Sequence, residues 1–93
     1  MITLIAKLTI KAGKEQEFEK TMTQVVPEVR KEPGNRAYVM CRSKKESRVF
    51  VFYEEYVDDD AVAVHRKHLS DLVNLATLLD GAPQLEFLEK LAG

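Results

Sequence analysis

Two histidines, a glutamate and a tyrosine stand near one another in the chain and are suited to acid–base chemistry. Glu54 and Tyr56 close the segment Arg48–Val57, and His65 and His68 follow shortly after it. A histidine can take up or release a proton near neutral pH. A carboxylate on an aromatic strand face is costly unless it is paired or used. His65, Glu54 and Tyr56 are therefore the residues at which we look for chemistry.

Each of these residues also has a purely structural interpretation. His65 could interact with a helix dipole and Glu54, Tyr56 could be a packing aromatic, and Glu54 could pair with a basic partner among Arg36, Arg42, Arg48 and His65. His65 and His68 could share a helix face and bind a metal. Because no carboxylate at helical spacing completes a ligand set, we expect no metal.

The strand that bears Glu54 is apolar on both faces. Alternation along a strand places Val49, Val51 and Tyr53 on one side and Phe50 and Phe52 on the other. Glu54 and Tyr56 fall in line with the two phenylalanines. Helices cover one face of a small sheet, so the second apolar face indicates association. We expect a homodimer through this helix-free face.

The remaining elements follow from periodicity and from Pro and Gly punctuation. The pattern predicts strands over 2–10, 36–42, 48–57 and 84–91. A helix is predicted from Lys14, and Pro27 is expected to kink or shorten it. A short helix is predicted to begin at Asp58–Asp60 and to end near His65–His68, followed by a further helical segment that Ser70 caps and Gly81 ends. This order is β-α-β-β-α(α)-β. It indicates an α+β, ferredoxin-like fold in one domain, residues 1–93, with one antiparallel four-stranded sheet whose first and third strands are central.

Composition excludes several classes of protein. The net charge of -1 gives no footprint for nucleic acid or an anionic membrane. No apolar run is long enough to span a bilayer, and Met1 leads directly into a strand rather than a signal peptide. Cys41, the one cysteine, excludes an intrachain disulfide, and we expect it to be a buried, inert thiol. A cytoplasmic protein is the simplest expectation.

Motifs spread over nearly the whole chain bear a family resemblance. In order they are Ala12-Gly-Lys-Glu with Phe18, Val26-Pro27, Glu32-Pro-Gly34, Arg48-Val-Phe, Glu54-Glu-Tyr56, Asp60-Ala61, His65 and Leu79-x-Gly81-x-Pro83. The set resembles the antibiotic biosynthesis monooxygenase domain family, whose members form dimeric α+β barrels.

The resemblance implies a pocket between sheet and helices in each subunit. Members oxidise phenols or quinols with molecular oxygen and without flavin, haem or metal, so we expect no cofactor and oxygen as co-substrate. By the same resemblance His65, Glu54 and Tyr56 are expected to be catalytic, with His65 or Glu54 taking the proton and Tyr56 or Asn35 donating a hydrogen bond. The substrate-binding residues are expected to be Asn35, Tyr38, Met40, Phe52, His68 and Leu69.

Departures from the family pattern leave other functions open. Ala6 and Tyr56 stand where the haem-degrading branch has Asn and Trp, which counts against haem degradation. The Tyr53–Tyr56 strand end and the Asp60-Ala-Val-Ala-x-His65 helix also resemble the isomerase that handles the phosphorylated autoinducer-2 signal. The alternatives are therefore an isomerase acting on a small carbonyl compound and a non-catalytic ligand-binding dimer.

Overall fold

A computed structural model describes all of residues 1–93 and has four strands, two helices and one 3₁₀ turn. The elements are β1 (Ile2–Thr9), α1 (Glu15–Arg30), β2 (Asn35–Arg42), β3 (Val49–Tyr56), α2 (Asp59–Leu72), the 3₁₀ turn Leu75–Thr77 and β4 (Gln84–Leu88). The sheet is antiparallel throughout, in the order β2-β3-β1-β4. The predicted α+β ferredoxin-like fold, with β1 and β3 at its centre, is confirmed.

The core lies between the sheet and the two helices. The Phe18 ring on α1 packs against two rings on β3, with centroids 4.8 Å from Phe50 and 6.3 Å from Phe52. Glu54 and Tyr56 share the face of these phenylalanines and are buried with them. The side of the sheet to which they point is therefore the helix side, where a site can be enclosed.

Helix α2 is longer than the sequence pattern indicated. It begins after Asp58, whose side chain accepts a hydrogen bond from the backbone N–H of Ala61 at 2.8 Å, and it runs without a break to Leu72. The prediction that a helix ends near His65–His68 and that Ser70 caps another was wrong. The Ser70 hydroxyl instead donates to the Lys67 carbonyl inside the same helix. His65 thus lies in the middle of α2, not at its C-terminal dipole.

The Asp58 cap leads to a stability prediction. Asp58→Ala should lower the free energy of unfolding by about 1 kcal/mol, because an N–H at the start of α2 loses its acceptor. Asp59→Ala is the matched control, since Asp59 lies in the first turn but does not cap the helix. Urea unfolding of both variants checks the expectation, and equal losses would argue against a role specific to the cap.

Helix α1 and strand β4 also differ from their predicted forms. Pro27 does not shorten α1, which continues to Arg30. Strand β4 stops at Leu88 rather than Leu91 and is exposed along its whole length at the sheet edge. Gly81 has a φ of +90°, the left-handed conformation expected of it, although it follows an irregular segment rather than a helix.

The helix-free face of the sheet is partly exposed in the single chain. Val39 is 50% exposed, and Val51 and Tyr53 are half-buried. Cys41 is exposed, so the expectation of a buried thiol was wrong for the isolated chain. The reason is its place on the outer strand β2, on the side that no helix covers. No helix combines the length and apolar character needed to cross a bilayer.

Candidate active site

Three parts of the chain bring titratable side chains together on the helix side of the sheet. Strand β3 supplies Glu54 and Tyr56, helix α2 supplies His65, and the turn after α1 supplies Glu32. All four are at least nine-tenths buried. The predicted catalytic residues therefore converge, and Glu32 joins them.

The His65 ring lies between two carboxylates. Its Nδ1 is 3.2 Å from both oxygens of Glu32, and its Nε2 is 3.7 Å from Oε1 of Glu54. Burial lowers the pKa of His65, although the charge and hydrogen bond of Glu32 act in the opposite direction. A neutral ring that donates its Nδ1–H to Glu32 presents the Nε2 lone pair towards Glu54. This is the form of a histidine that can accept a proton.

Glu54 is the second acid–base group. Its Oε1 accepts a hydrogen bond from the Tyr56 hydroxyl at 2.6 Å. Burial raises the pKa of Glu54 to about 7, the charge of Glu32 also raises it, and the Tyr56 hydrogen bond opposes the rise. Burial and the neighbouring Glu54 also raise the pKa of Tyr56, so that the tyrosine stays protonated and acts as a donor. A carboxyl that titrates near neutral pH can give or take a proton during a reaction.

The arginine partners considered for Glu54 are engaged elsewhere. Arg42 pairs with Glu19, Arg48 pairs with Asp80, and Arg36 donates to the Pro33 carbonyl. The partners of Glu54 are Tyr56 and His65. Its carboxylate is thus part of the histidine cluster rather than a structural ion pair with a cation.

Glu32 was not recognised as a site residue from the sequence, where Glu32-Pro-Gly34 was only one of the motifs of the family resemblance. It accepts from His65 and also from Nδ1 of His68, at 2.7 Å. One feature of the sequence could have indicated that Glu32 has a partner. An acidic residue directly after the C-terminal end of a helix is unfavourable for the dipole, so its presence there calls for a partner.

Gly34 lets the turn that bears Glu32 approach helix α2. A Cβ at Gly34 would overlap the Ala61 methyl group and touch Val57. The Gly34 carbonyl accepts from the Val57 N–H at 2.9 Å, which ties the turn to the end of β3. Glu32 reaches both histidines because these backbones lie so close together.

Gly34→Ala should therefore destabilise the protein and loosen the cluster. We expect a loss of about 1 to 3 kcal/mol, as for other overpacked sites. The double variant Gly34→Ala/Ala61→Gly removes the overlapping methyl group and should recover part of the loss beyond the cost of Ala61→Gly alone. Chemical unfolding of the three variants gives the coupling energy, and a value near zero would contradict the close approach.

The remaining predicted site residues occupy different surroundings. The Tyr38 ring lies 5.3 Å from both the His65 and Phe52 rings, and His68 is about one-third exposed at the outer edge of the cluster. The amide of Asn35 is engaged at both ends, since its oxygen accepts from Arg30 at 2.6 Å and its nitrogen donates to the Ala37 carbonyl. Met40 and Leu69 are half-buried beside the core.

A hollow of about 340 Å³ lies between α1 and β2, within the size range of small-molecule sites. Its lining residues are Thr23, Val26, Pro27, Tyr38, Val39 and Met40. No hollow reaches Glu54, Tyr56 or His65 directly, and Tyr38 is the residue that the hollow and the cluster share. Histidine, cysteine and carboxylate side chains form no group of three or more arranged to hold a metal ion.

Comparison with known proteins identifies the family. The family model for antibiotic biosynthesis monooxygenase matches residues 1–70, which include every member of the cluster. The chain belongs to the antibiotic biosynthesis monooxygenase family. No curated protein was found to match the sequence.

Solved structures share the fold of this family member over almost its whole length. A Caulobacter crescentus CB15 protein, described as a candidate antibiotic biosynthesis monooxygenase, is 30% identical with a TM-score of 0.83, covering 98% of this chain and 90% of its own. PA3566 from Pseudomonas aeruginosa is 26% identical with a TM-score of 0.86, covering 98% and 94%. A structure described as an antibiotic biosynthesis monooxygenase is 25% identical with a TM-score of 0.88, covering 99% and 100%.

Proposed function

We propose that this family member is a monooxygenase that uses no cofactor and acts on a small phenol or quinol. The observation that carries the proposal is the buried His65 ring, held by Glu32 on one side with Glu54 on the other, in a chain of a monooxygenase family. Such a reaction needs a base, an acid and an apolar surrounding, and the helix side of the sheet supplies all three.

The first step is removal of a proton from the substrate. His65 Nε2 takes the phenolic proton, and the positive charge that develops on the ring is stabilised by Glu32 at Nδ1. The buried surroundings strengthen this interaction, since little water screens it. The phenolate that remains is electron-rich, and the imidazolium beside it shares its charge with Glu32.

The second step is reaction of that anion with oxygen. A ring carbon donates electrons to O₂ and forms a C–O bond to a peroxide, which Glu54 in its acid form protonates to a hydroperoxide. Glu54, now a carboxylate, then takes the C–H proton as the O–O bond breaks, which leaves a carbonyl group. The departing hydroxide takes the proton held by His65 and leaves as water, so both side chains return to their starting forms. The substrate supplies all the electrons, so no external reductant enters the balance.

The hollow between α1 and β2 is the proposed position of the substrate. Tyr38 separates the hollow from His65, so a substrate would reach the imidazole when the Tyr38 ring turns aside. Pro27 has no N–H to give to the Thr23 carbonyl, which leaves a backbone acceptor for a substrate hydroxyl in the wall of the hollow.

Oxygen uptake with a panel of quinols and anthrone-like phenols tests the proposal. We expect equimolar consumption of oxygen and substrate, with one atom of ¹⁸O₂ incorporated into the product and no effect of chelators or added flavin. Absence of oxygen uptake above the uncatalysed rate across the panel would overturn it.

An isomerase acting on a small carbonyl compound is the second candidate. The 3.7 Å separation of His65 Nε2 and Glu54 Oε1 favours it, because one group can remove a proton from a carbon while the other returns a proton to the neighbouring atom. Turnover that continues at the same rate without oxygen selects this function over the first.

We further propose that two copies associate through the helix-free face of the sheet. Support comes from the exposed Val39 and Cys41 beside the half-buried Val51 and Tyr53 on that face.

The reactivity of the Cys41 thiol tests the association, because a dimer through this face would cover it. Raising the protein concentration from about 1 µM to about 100 µM should slow the reaction of its thiol with an aromatic disulfide reagent, since association follows mass action. A rate independent of concentration, with a monomeric mass in solution, would contradict the dimer.

A further inference from the structure

The turn that carries Glu32 is closed by the two residues that flank it. Arg30 is the last residue of α1 and Asn35 is the first residue of β2, and Nη1 of Arg30 donates to Oδ1 of Asn35 at 2.6 Å. The backbone closes the same turn, because the N–H of Asn35 donates to the Glu32 carbonyl at 3.1 Å. Residues 31–34 therefore form a short loop whose two ends are joined by a side-chain hydrogen bond.

A β-bulge in β2 keeps Asn35 on the helix side of the sheet. Asn35 and Ala37 lie opposite consecutive residues of β3, so Arg36 is an extra residue in β2. Strict alternation would place residues 35 and 38 on opposite faces of the sheet. With the extra residue, Asn35 and Tyr38 are both buried on the helix side, where the cluster lies.

The side-chain amide of Asn35 holds this bulge in place. Its Nδ2 donates to the Ala37 carbonyl at 3.0 Å while its Oδ1 accepts from Arg30, so the two partners fix the orientation of the amide. Asn35 is only 4% exposed. A buried amide that is engaged at both ends acts on the backbone around it, and that backbone carries Glu32.

We propose that Arg30 and Asn35 are positioning residues that hold the Glu32 carboxylate against Nδ1 of His65. The inference rests on the proposed function for its effect on turnover, but the hold on Glu32 is a property of the resting protein. Neither side chain touches the reacting atoms. Both act by fixing the turn from which Glu32 projects, while the close approach at Gly34 holds the same turn against α2.

The position of Glu32 selects the tautomer of His65. The neutral ring donates its Nδ1–H to Glu32 at 3.2 Å, which leaves Nε2 as the acceptor that the proposed reaction uses. If the turn shifts, this hydrogen bond lengthens and the ring is free to carry its proton on Nε2. A ring in that form cannot take a proton from a substrate at Nε2. The Arg30–Asn35 pair therefore determines whether His65 is ready to act as a base.

The tautomer of His65 tests the proposal without any substrate. Proton–nitrogen correlation NMR of ¹⁵N-labelled protein distinguishes the two tautomers by the chemical shifts of the two ring nitrogens. We expect the Nδ1–H form in the wild type and a shift towards the Nε2–H form in Arg30→Met and Asn35→Asp. Methionine keeps an apolar stem without a donor, and aspartate keeps the shape of asparagine but cannot donate to the Ala37 carbonyl.

Two further variants show whether the change is specific to this pair. Arg42→Met is the matched control, because Arg42 also links β2 to α1 but pairs with Glu19 at the other end of the strand. It should keep the wild-type tautomer. Arg30→Lys retains a donor and should recover most of the wild-type signal. An unchanged tautomer in both Arg30→Met and Asn35→Asp overturns the proposal, and so does an equal change in Arg42→Met.

Turnover separates positioning from a general loss of structure. In Arg30→Met and Asn35→Asp, kcat should fall by about ten- to a hundred-fold while KM changes little, because a misplaced base affects the reacting proton rather than substrate binding. A kcat that stays at the wild-type value would overturn the proposal. If the wild type turns over no phenol or quinol, the proposed function fails, while the tautomer of His65 still decides the role of the pair.

Discussion

Replacing His65 by glutamine is expected to lower kcat for the phenol or quinol substrate by about 10²- to 10⁴-fold, the range typical of a lost general base. The glutamine amide can still donate to Glu32 and roughly fills the place of the ring, but it accepts no proton at neutral pH. The loss should fall on kcat rather than on KM, since the side chain acts on the reacting proton and not on the remote parts of the substrate.

Two further variants test whether the loss of kcat is specific to the side chain of His65. Lys67→Gln, an exposed change on the same helix, should leave turnover and stability unchanged. His65→Ala should also abolish turnover while the mass in solution stays that of the wild type, because the helix-free face lies on the other side of the sheet. Turnover by either His65 variant within a few-fold of the wild type would remove His65 from the mechanism.

Replacing Glu54 by glutamine is expected to change how stability depends on pH. The pKa of Glu54 rises from its ordinary value of 4.5 to about 7 in the folded chain. Between these values the folded protein binds more protons than the unfolded chain, so this carboxyl makes stability fall as pH rises from about 4.5 to about 7. The effect is on the order of 2 to 3 kcal/mol, given about 1.4 kcal/mol for each unit of pKa.

The measurement compares the free energy of unfolding of the two proteins. Going from about pH 5 to about pH 8, Glu54→Gln should gain stability relative to the wild type by this amount, because glutamine does not ionise. The depressed pKa of His65 acts in the other direction, with stability lost as pH falls below about 6.5, and it acts in both proteins. A difference between the two proteins that does not vary with pH would show that Glu54 has an ordinary pKa.

The two expectations describe one chemical arrangement. A neutral His65 and a Glu54 that titrates near pH 7 are both ready to exchange protons under ordinary conditions. Keeping Glu54 in so buried a place reduces the stability of the fold at alkaline pH. Natural proteins accept such losses chiefly where a site needs the group, which agrees with a functional cluster.

The sequence by itself determined the order and type of the elements. Alternation in Arg48–Val57 has a period of 2, and the pattern that predicted a helix from Lys14 has a period of 3.6. Such local patterns can be recognised without knowing what lies opposite them. The same alternation placed Glu54 and Tyr56 in line with Phe50, so their convergence with His65 could be expected. The limits of α2 were less certain, because Ser70 is compatible with both a cap and a helix interior.

Only the tertiary structure decided how the cluster is closed. Glu32 comes from a turn far from α2 in sequence, and it meets His65 and His68 because Gly34 lets the turn lie against Ala61. No local pattern encodes such a meeting, since it depends on the packing of three separate elements. The exposure of Cys41 was decided in the same way, because a strand pattern shows alternation but not which side the helices cover. His65 could be recognised in the sequence, but Glu32, the carboxylate that orients its ring, could be recognised only in the folded structure.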